Sequence, residues 1–358
     1  MKKNKLLLKI ALCCILCAGI TACEKEQPKQ SVPKWEIVQN LSNRNFRNAC
    51  VFDDKLVLLS LDSVVCFDKS LQQIQIHFIE GIKDRNFAAP FVLDNQEVIV
   101  TPVYANHAGK LDSLAIYFYN LKNNKKTIFD YSQIPEIDKN GYVATDMMSN
   151  YDNKFSIVLT RFDAEYIYPE SNNNTSFAIL NIDFSDIENL NYSVNNNIYF
   201  PKNSHISPYN LVTKRNFINY KNKYYISTPL YGTFIVDENG FKEEQNGFYF
   251  LNSDVIYQIS NQYLKESNDG ENWNIKTTFD DVNFWNIEYD AKLYESSVLR
   301  FNYALSFGSA DMVTGKTKLL NSEGLPSDYS DFLIEYDNYL YLGILGNIFR
   351  IKKSEFFN

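Results

Sequence analysis

The chain has 358 residues, 43 acidic against 35 basic, and a formal net charge of −8. An acidic chain without a basic patch is a poor match for nucleic acid or for anionic lipid surfaces. The three histidines, His77, His107 and His205, lie in unrelated stretches, no H-E-x-x-H spacing exists, and the C-x-x-C spacing of Cys14 and Cys17 falls in the N-terminal apolar run, so no metal site and no cofactor is expected.

The first predicted element is a targeting segment. Lys2, Lys3, Lys5 and Lys9 make the start basic, and Leu6 to Ile20 are mostly apolar, the pattern of a secretory signal and too short for a spanning helix. Ile20-Thr21-Ala22-Cys23 resembles the bacterial lipobox. The resemblance implies cleavage before Cys23, acylation of its thiol (palmitate among the chains) and a lipid-anchored protein of the bacterial envelope, periplasmic or surface-exposed. Residues 1–22 are read as signal peptide and 23–34 as the lipidated cysteine with a flexible tether. The tether contains two prolines and no apolar period, as a linker should. Loss of residues 1–22 removes four lysines and no acids, taking the net charge from −8 to −12.

From residue 35 to 358 the sequence predicts one all-β domain. Short runs rich in Val, Ile, Tyr and Phe alternate with Asn, Asp, Gly and Lys, which is strand-and-turn punctuation. "KWEIVQNL" (34–41) is a lone strand. "VFDDKLVLLSLDSVVCFD" (51–68) gives a turn at Asp53-Asp54-Lys55, a strand, and a second strand ending in Asp68. "NYKNKYYISTPLYGTFIVDENG" (219–240), with its turn at Asn222-Lys223, and "EYDNYLYLGILGNIFRI" (335–351), with Asp337-Asn338, repeat the plan. Weaker copies begin at 92, 150, 250 and 288, the last being "EYDAKLYESSVL". Units starting near 46, 87, 144, 217, 248, 284 and 332 have the four-strand spacing, about 48 residues, of propeller blades. The expectation is a single β-propeller of seven blades, with six or eight as alternatives, closed by the lone N-terminal strand.

Near the end, Gly324-Leu325-Pro326-Ser327, Asp337-Asn338, Tyr339–Gly343 and Gly346–Arg350 resemble the repeats of two-component-regulator-type propellers. No kinase or DNA-binding region follows them, so the resemblance implies a propeller and not a sensor kinase. "SNDGENW" (267–273) resembles, one residue short, the Asp-box of sialidases and other propellers, which implies a structural hairpin. There Asp269 would cap the turn, Gly270 supply a positive φ and Trp273 pack inward. Cys50 and Cys66 are the cysteines beyond Cys23; free buried thiols are expected, with a disulfide as the alternative.

Candidate binding residues follow from "RNF", which recurs at Arg44–Phe46, Arg85–Phe87 and Arg215–Phe217. If Arg44, Arg85 and Arg215 precede innermost strands, three guanidiniums meet on one rim of the channel and suit a carboxylate or acidic sugar. Otherwise each pairs with a neighbouring carboxylate or carbonyl. Apparent insertions at 104–112 and 163–175 carry Tyr166 and Tyr168, flat faces for a sugar or a protein. No catalytic residue is assigned. The function expected is a non-catalytic binding or scaffold module for another envelope protein. The alternatives are a glycan-binding surface receptor and, third, a propeller-type glycoside hydrolase, which needs two facing carboxylates with one pKa raised.

Overall fold

The computed structural model describes residues 34–60, 63–78, 90–93, 97–107, 110–138, 142–161, 176–199, 216–228, 232–237, 240–244, 247–260, 262–280, 290–294, 297–301, 307–326 and 330–357. Cys23, Arg85, Tyr166, Tyr168, Arg215 and the 163–175 insertion lie outside them. Among the described residues no helix is long and apolar enough to cross a membrane.

Lys34–Asn358 form one compact unit, an all-β single β-propeller. Among the described residues, seven four-stranded antiparallel sheets follow one another in chain order. Six are continuous, spanning 48–78, 91–130, 142–199, 216–244, 248–278 and 290–319, and are numbered here sheets 1 to 6. Sheet 7 takes three strands from 330–352, and its fourth is Glu36–Ile37, which pairs with the last strand through Glu36↔Arg350 and Ile37↔Phe349.

Burial fixes the radial order. First strands of neighbouring sheets abut one another, Asn48–Phe52 against Ser330–Tyr336 and Tyr142–Tyr151 against Asn216–Tyr220, for example. Fourth strands are half exposed, as in Gln73–Phe78 and Lys125–Asp130. The second and third strands of sheet 1 are covered on both faces: Leu56 to Leu59 are wholly buried and Ser63–Phe67 is buried throughout. Seven apolar clusters fill the spaces between sheets, one for each neighbouring pair. One of them joins sheet 7, through Phe332, Tyr341 and Ile348, to Leu56, Leu58 and Val65 of sheet 1.

The first hairpin of several sheets turns on two residues of positive φ: Asp53-Asp54, Asp152-Asn153, Lys221-Asn222 and Asp337-Asn338. Such turns match the right-handed twist of the flanking strands and favour Asn and Asp, whose short polar side chains tolerate that region. Two expected positions shift. The turn in 219–240 is Lys221-Asn222, because Lys223 already pairs with Tyr220. The copy at 288 is out of register: Asp290–Tyr294 is itself a strand, paired with Ser297–Phe301 through Tyr294↔Ser297, so the hairpin closes after Tyr294 and not at Asp290. A tyrosine before the turn ties sheets together. Tyr336 donates its hydroxyl to the Asp54 carbonyl of the next sheet (2.9 Å), and Tyr220 does the same to Asp254 (2.7 Å).

The 104–112 stretch is not a loop insertion but an elongated hairpin, Val98–His107 against Lys110–Asn120. Cys50 and Cys66 are both free and buried. They flank Val57 on the first and third strands of sheet 1, hence about 10 Å apart, beyond the roughly 7 Å reach of a disulfide. Burial pushes the Cys50 thiol up to about 12.

Candidate functional site

Turns between third and fourth strands share one chemistry. The carboxylate of Asp68 accepts from the backbone N–H of Ser70 and Gln72 in sheet 1. Asn120 accepts from Lys122 and Asn123 in sheet 2. Asp183 and Asp186 cap the turn of sheet 3 through the N–H groups of Ser185 and Glu188. Asp269 and Asp311 act likewise in sheets 5 and 6. Sheet 7 has no such turn, because its fourth strand comes from the other end of the chain.

The Asp-box-like stretch is the most developed of these turns. Asp269 accepts from the N–H groups of Glu271 and Asn272 and from the Ser267 hydroxyl, while Ser267 Oγ accepts from the Gly270 N–H. Gly270 has φ +75°, and a Cβ there would lie 2.5 Å from the Tyr225 hydroxyl. Trp273 packs on Tyr249, with ring centroids 5.7 Å apart. Lys221 and Lys223 of sheet 4 hold the turn through Asn268 O and Glu271. The stretch is a staple between sheets 4 and 5, with every polar contact turned inward on the scaffold.

These hydrogen bonds hold several carboxyls below the ordinary aspartate range. The leading cause is the Asn272 N–H for Asp269, the Thr314 N–H for Asp311 and the Ser70 hydroxyl for Asp68. For Asp183 it is the Ser185 N–H, and for Asp186 the Asn189 side chain. A group whose folded pKa is depressed contributes stability that is full above its unfolded value, about 4, and is lost as pH falls through the folded value. The thermal midpoint is therefore expected to hold from neutrality to about pH 5 and to fall below about pH 4. Asp269→Asn cannot ionise and sets an Nδ2 donor against the Asn272 amide from which Asp269 Oδ2 accepts, so it should lower the neutral midpoint and reduce the acid loss. An acid loss identical in wild type and Asp269→Asn would contradict this assignment. Asp53, Asp68, Asp183, Asp186, Asp269 and Asp311 are all shifted downward, the opposite of what a general acid needs.

Arg44 precedes an innermost strand, yet its guanidinium does not reach the channel rim. It donates to Gln73 Oε1 at 2.6 Å, at the start of the outermost strand of sheet 1, and lies 6.0 Å from the Phe67 ring centroid. The residue that reaches the rim is Arg47. Its Nη1 pairs at 3.2 Å with Asp331 Oδ1, on the innermost strand of sheet 7, and that carboxylate is 8% exposed. Beside it Asn48 Nδ2 donates to the Pro90 carbonyl, 2.8 Å away at the edge of sheet 2. Arg47, Asn48 and Asp331 thus form a polar collar across three sheets. The Arg47–Asp331 ion pair joins sheet 1 to sheet 7 and so fastens the two sheets together. Arg47 stands three residues after Arg44 in "RNFRN", and nothing local distinguishes the two.

Among the described residues no group of His, Cys, Asp or Glu can hold a metal ion. His77 packs against Tyr119 with centroids 5.3 Å apart, and burial lowers its pKa. The ring scaffold is suited to a binding or scaffold module.

No family model matches the chain, and no curated protein matches it in sequence. Among solved structures the chain is similar to virginiamycin B lyase from Staphylococcus aureus, at 10% identity over 89% of this chain and 98% of that one, TM-score 0.49. It is also similar to the β-propeller domain of Cps50 (Swd1) from Myceliophteria thermophila, at 12% identity over 86% and 96%, TM-score 0.47. A computationally designed protein, Ika8, aligns at 9% identity over 90% and 99%, TM-score 0.46. Identities this low say nothing about ligand or chemistry.

Proposed function

We propose that the chain is a bacterial envelope lipoprotein, anchored through acylated Cys23, whose propeller is a non-catalytic module that binds another envelope protein. The observation that carries the reading is the sequence before the domain: a basic start, an apolar run, then Ile20-Thr21-Ala22-Cys23. A rigid ring behind a short polar tether suits presentation of a binding surface close to a membrane. The seven sheets are read as seven blades, with Glu36–Ile37 closing the ring by completing the last. The last blade is assigned to the two-component-regulator-type repeats. Gly324, in its Gly-Leu-Pro-Ser turn, supports this with φ +91° and no room for a Cβ, which would sit 2.8 Å from the Trp35 carbonyl. Within this reading Arg85, Arg215, Tyr166 and Tyr168 remain candidate contacts for the partner, and Arg44 serves the scaffold.

Cells fed an alkyne analogue of palmitate test the anchor. Wild type should carry the label and sediment with membranes, and Cys23→Ala should lose at least 90% of both. Equal labelling of Cys23→Ala would overturn the anchoring. In the same cells, crosslinking should recover one reproducible envelope protein, lost when 163–175 is shortened. Recovery of none would overturn the scaffold reading.

A further inference from the structure

The outermost strand of sheet 1, Gln73–Phe78, is unlike its counterparts. Ile74, Ile76 and Phe78 are 48%, 39% and 67% exposed. They alternate with Gln75 and His77 and so share one face, while His77 on the other face packs against sheet 2. The strand has no charged residue and no proline. Other outer strands carry the charges that guard open edges: Lys125, Lys126 and Asp130 in sheet 2, Lys276 in sheet 5, Lys318 in sheet 6 and Glu36 in sheet 7. Asn191–Tyr199 is also uncharged but rich in asparagine.

We infer that this strand edge is a homodimer contact, occupied by the same strand of a second copy. Each copy carries net charge −8 or, without residues 1–22, −12, so approach is disfavoured wherever acidic surfaces meet. At Gln73–Phe78 no like charges are opposed. The strand is also its own complement. An antiparallel register centred on Ile76 sets Ile76 against Ile76, Ile74 against Phe78 and Gln75 against His77. Residues opposed in an antiparallel pair lie on the same face, so the two apolar stripes join into one and the two sheets become a continuous one of eight strands. The pairing irregularity in this strand falls at Ile74, between Gln73 and Gln75, leaving Gln75 to Phe78 regular. The contact does not depend on the lipid anchor.

The test uses the full chain with Ile76→Cys, in membranes and again in detergent, under mild oxidation. Residues directly opposed across strands have Cα atoms about 4.5–5.5 Å apart, within the reach of a disulfide. A disulfide-linked homodimer is expected at tenfold or more above Ile128→Cys, a control on another outer strand with Ile128 50% exposed. Adding Ile74→Lys should remove the product. Yields equal to the control, or Ile76→Cys joined to a different protein without homodimer, would overturn the inference. Light scattering of the unmodified chain decides it independently. Its mass should rise towards a dimer with concentration and Ile76→Lys should stay a monomer; a wild type that stays monomeric throughout would overturn it.

Discussion

Replacing Trp35 by alanine is expected to lower the unfolding free energy by about 3–5 kcal/mol and the thermal midpoint by about 10 °C. Trp35 stands one residue before the strand that completes sheet 7, and it is 4% exposed. Its ring stacks on Phe307 of sheet 6 at 6.0 Å and meets Phe356, in the C-terminal helix Lys353–Phe356, edge-on at 5.6 Å. Its indole N–H donates to the Asn321 carbonyl at 2.9 Å, and its backbone N–H to Glu323 O at 2.8 Å. One side chain therefore binds the start of the domain to its end and to sheet 6. Truncation leaves a cavity between rigid rings, which cannot collapse cheaply, and removes the indole donor from the Asn321 carbonyl. Ile37→Ala, two residues further on but 42% exposed, should cost less than about 1 kcal/mol. Equal losses at the two positions would show that the latch is not where the structure puts it.

The second large effect is expected at Asn181→Leu, about 2–4 kcal/mol. Between sheets 3 and 4 a buried polar chain runs through an otherwise apolar interface. Ser156 Oγ donates to Asn181 Oδ1 at 2.6 Å and accepts from Asn219 Nδ2 at 2.8 Å. Asn181 Nδ2 donates to the Tyr224 hydroxyl at 2.9 Å, as Asn195 does at 3.1 Å. Around it lie Met147, Val158, Ile179 and Phe234. Leucine has a similar volume but leaves the Ser156 hydroxyl without its acceptor and Tyr224 with one amide fewer. Unmade bonds in a dry interface cost the full desolvation of each group. The urea midpoint should fall with the slope unchanged. A loss below about 0.5 kcal/mol would mean that water reaches the site.

How far the sequence foretold this molecule depends on how local each signal was. Asp53-Asp54 and Asp337-Asn338 could be read because positive φ restricts residue type within two positions. Lys221 breaks that rule, occupying φ 49° with no short polar side chain, and the reading slid by one residue. At 288 the Tyr-Asp pair imitated a turn whose true tyrosine is Tyr294. Of the capped turns, Asp68 was legible as the end of a strand and Asp269 as a cap, because each acts within its own turn. The rim was not. Arg47 meets Asp331 across 284 positions of sequence, and Arg44 is drawn outward by Gln73; only tertiary neighbours separate the two arginines. The polar chain at Asn181 was hidden for the same reason, since its partners lie 25 and 43 residues away.

The most direct test of the account is a disulfide between Glu36→Cys and Arg350→Cys. The two residues are directly paired at the junction of the chain's two ends, and their side chains approach to 3.8 Å. Paired positions of this kind lie about 4.5–5.5 Å apart at Cα, the span a disulfide bridges. The account predicts that the folded double variant oxidises within one chain, migrates faster without reductant and melts at a higher temperature than its reduced form. Two thiols that stay free in the folded protein, or that link only between molecules, would contradict it.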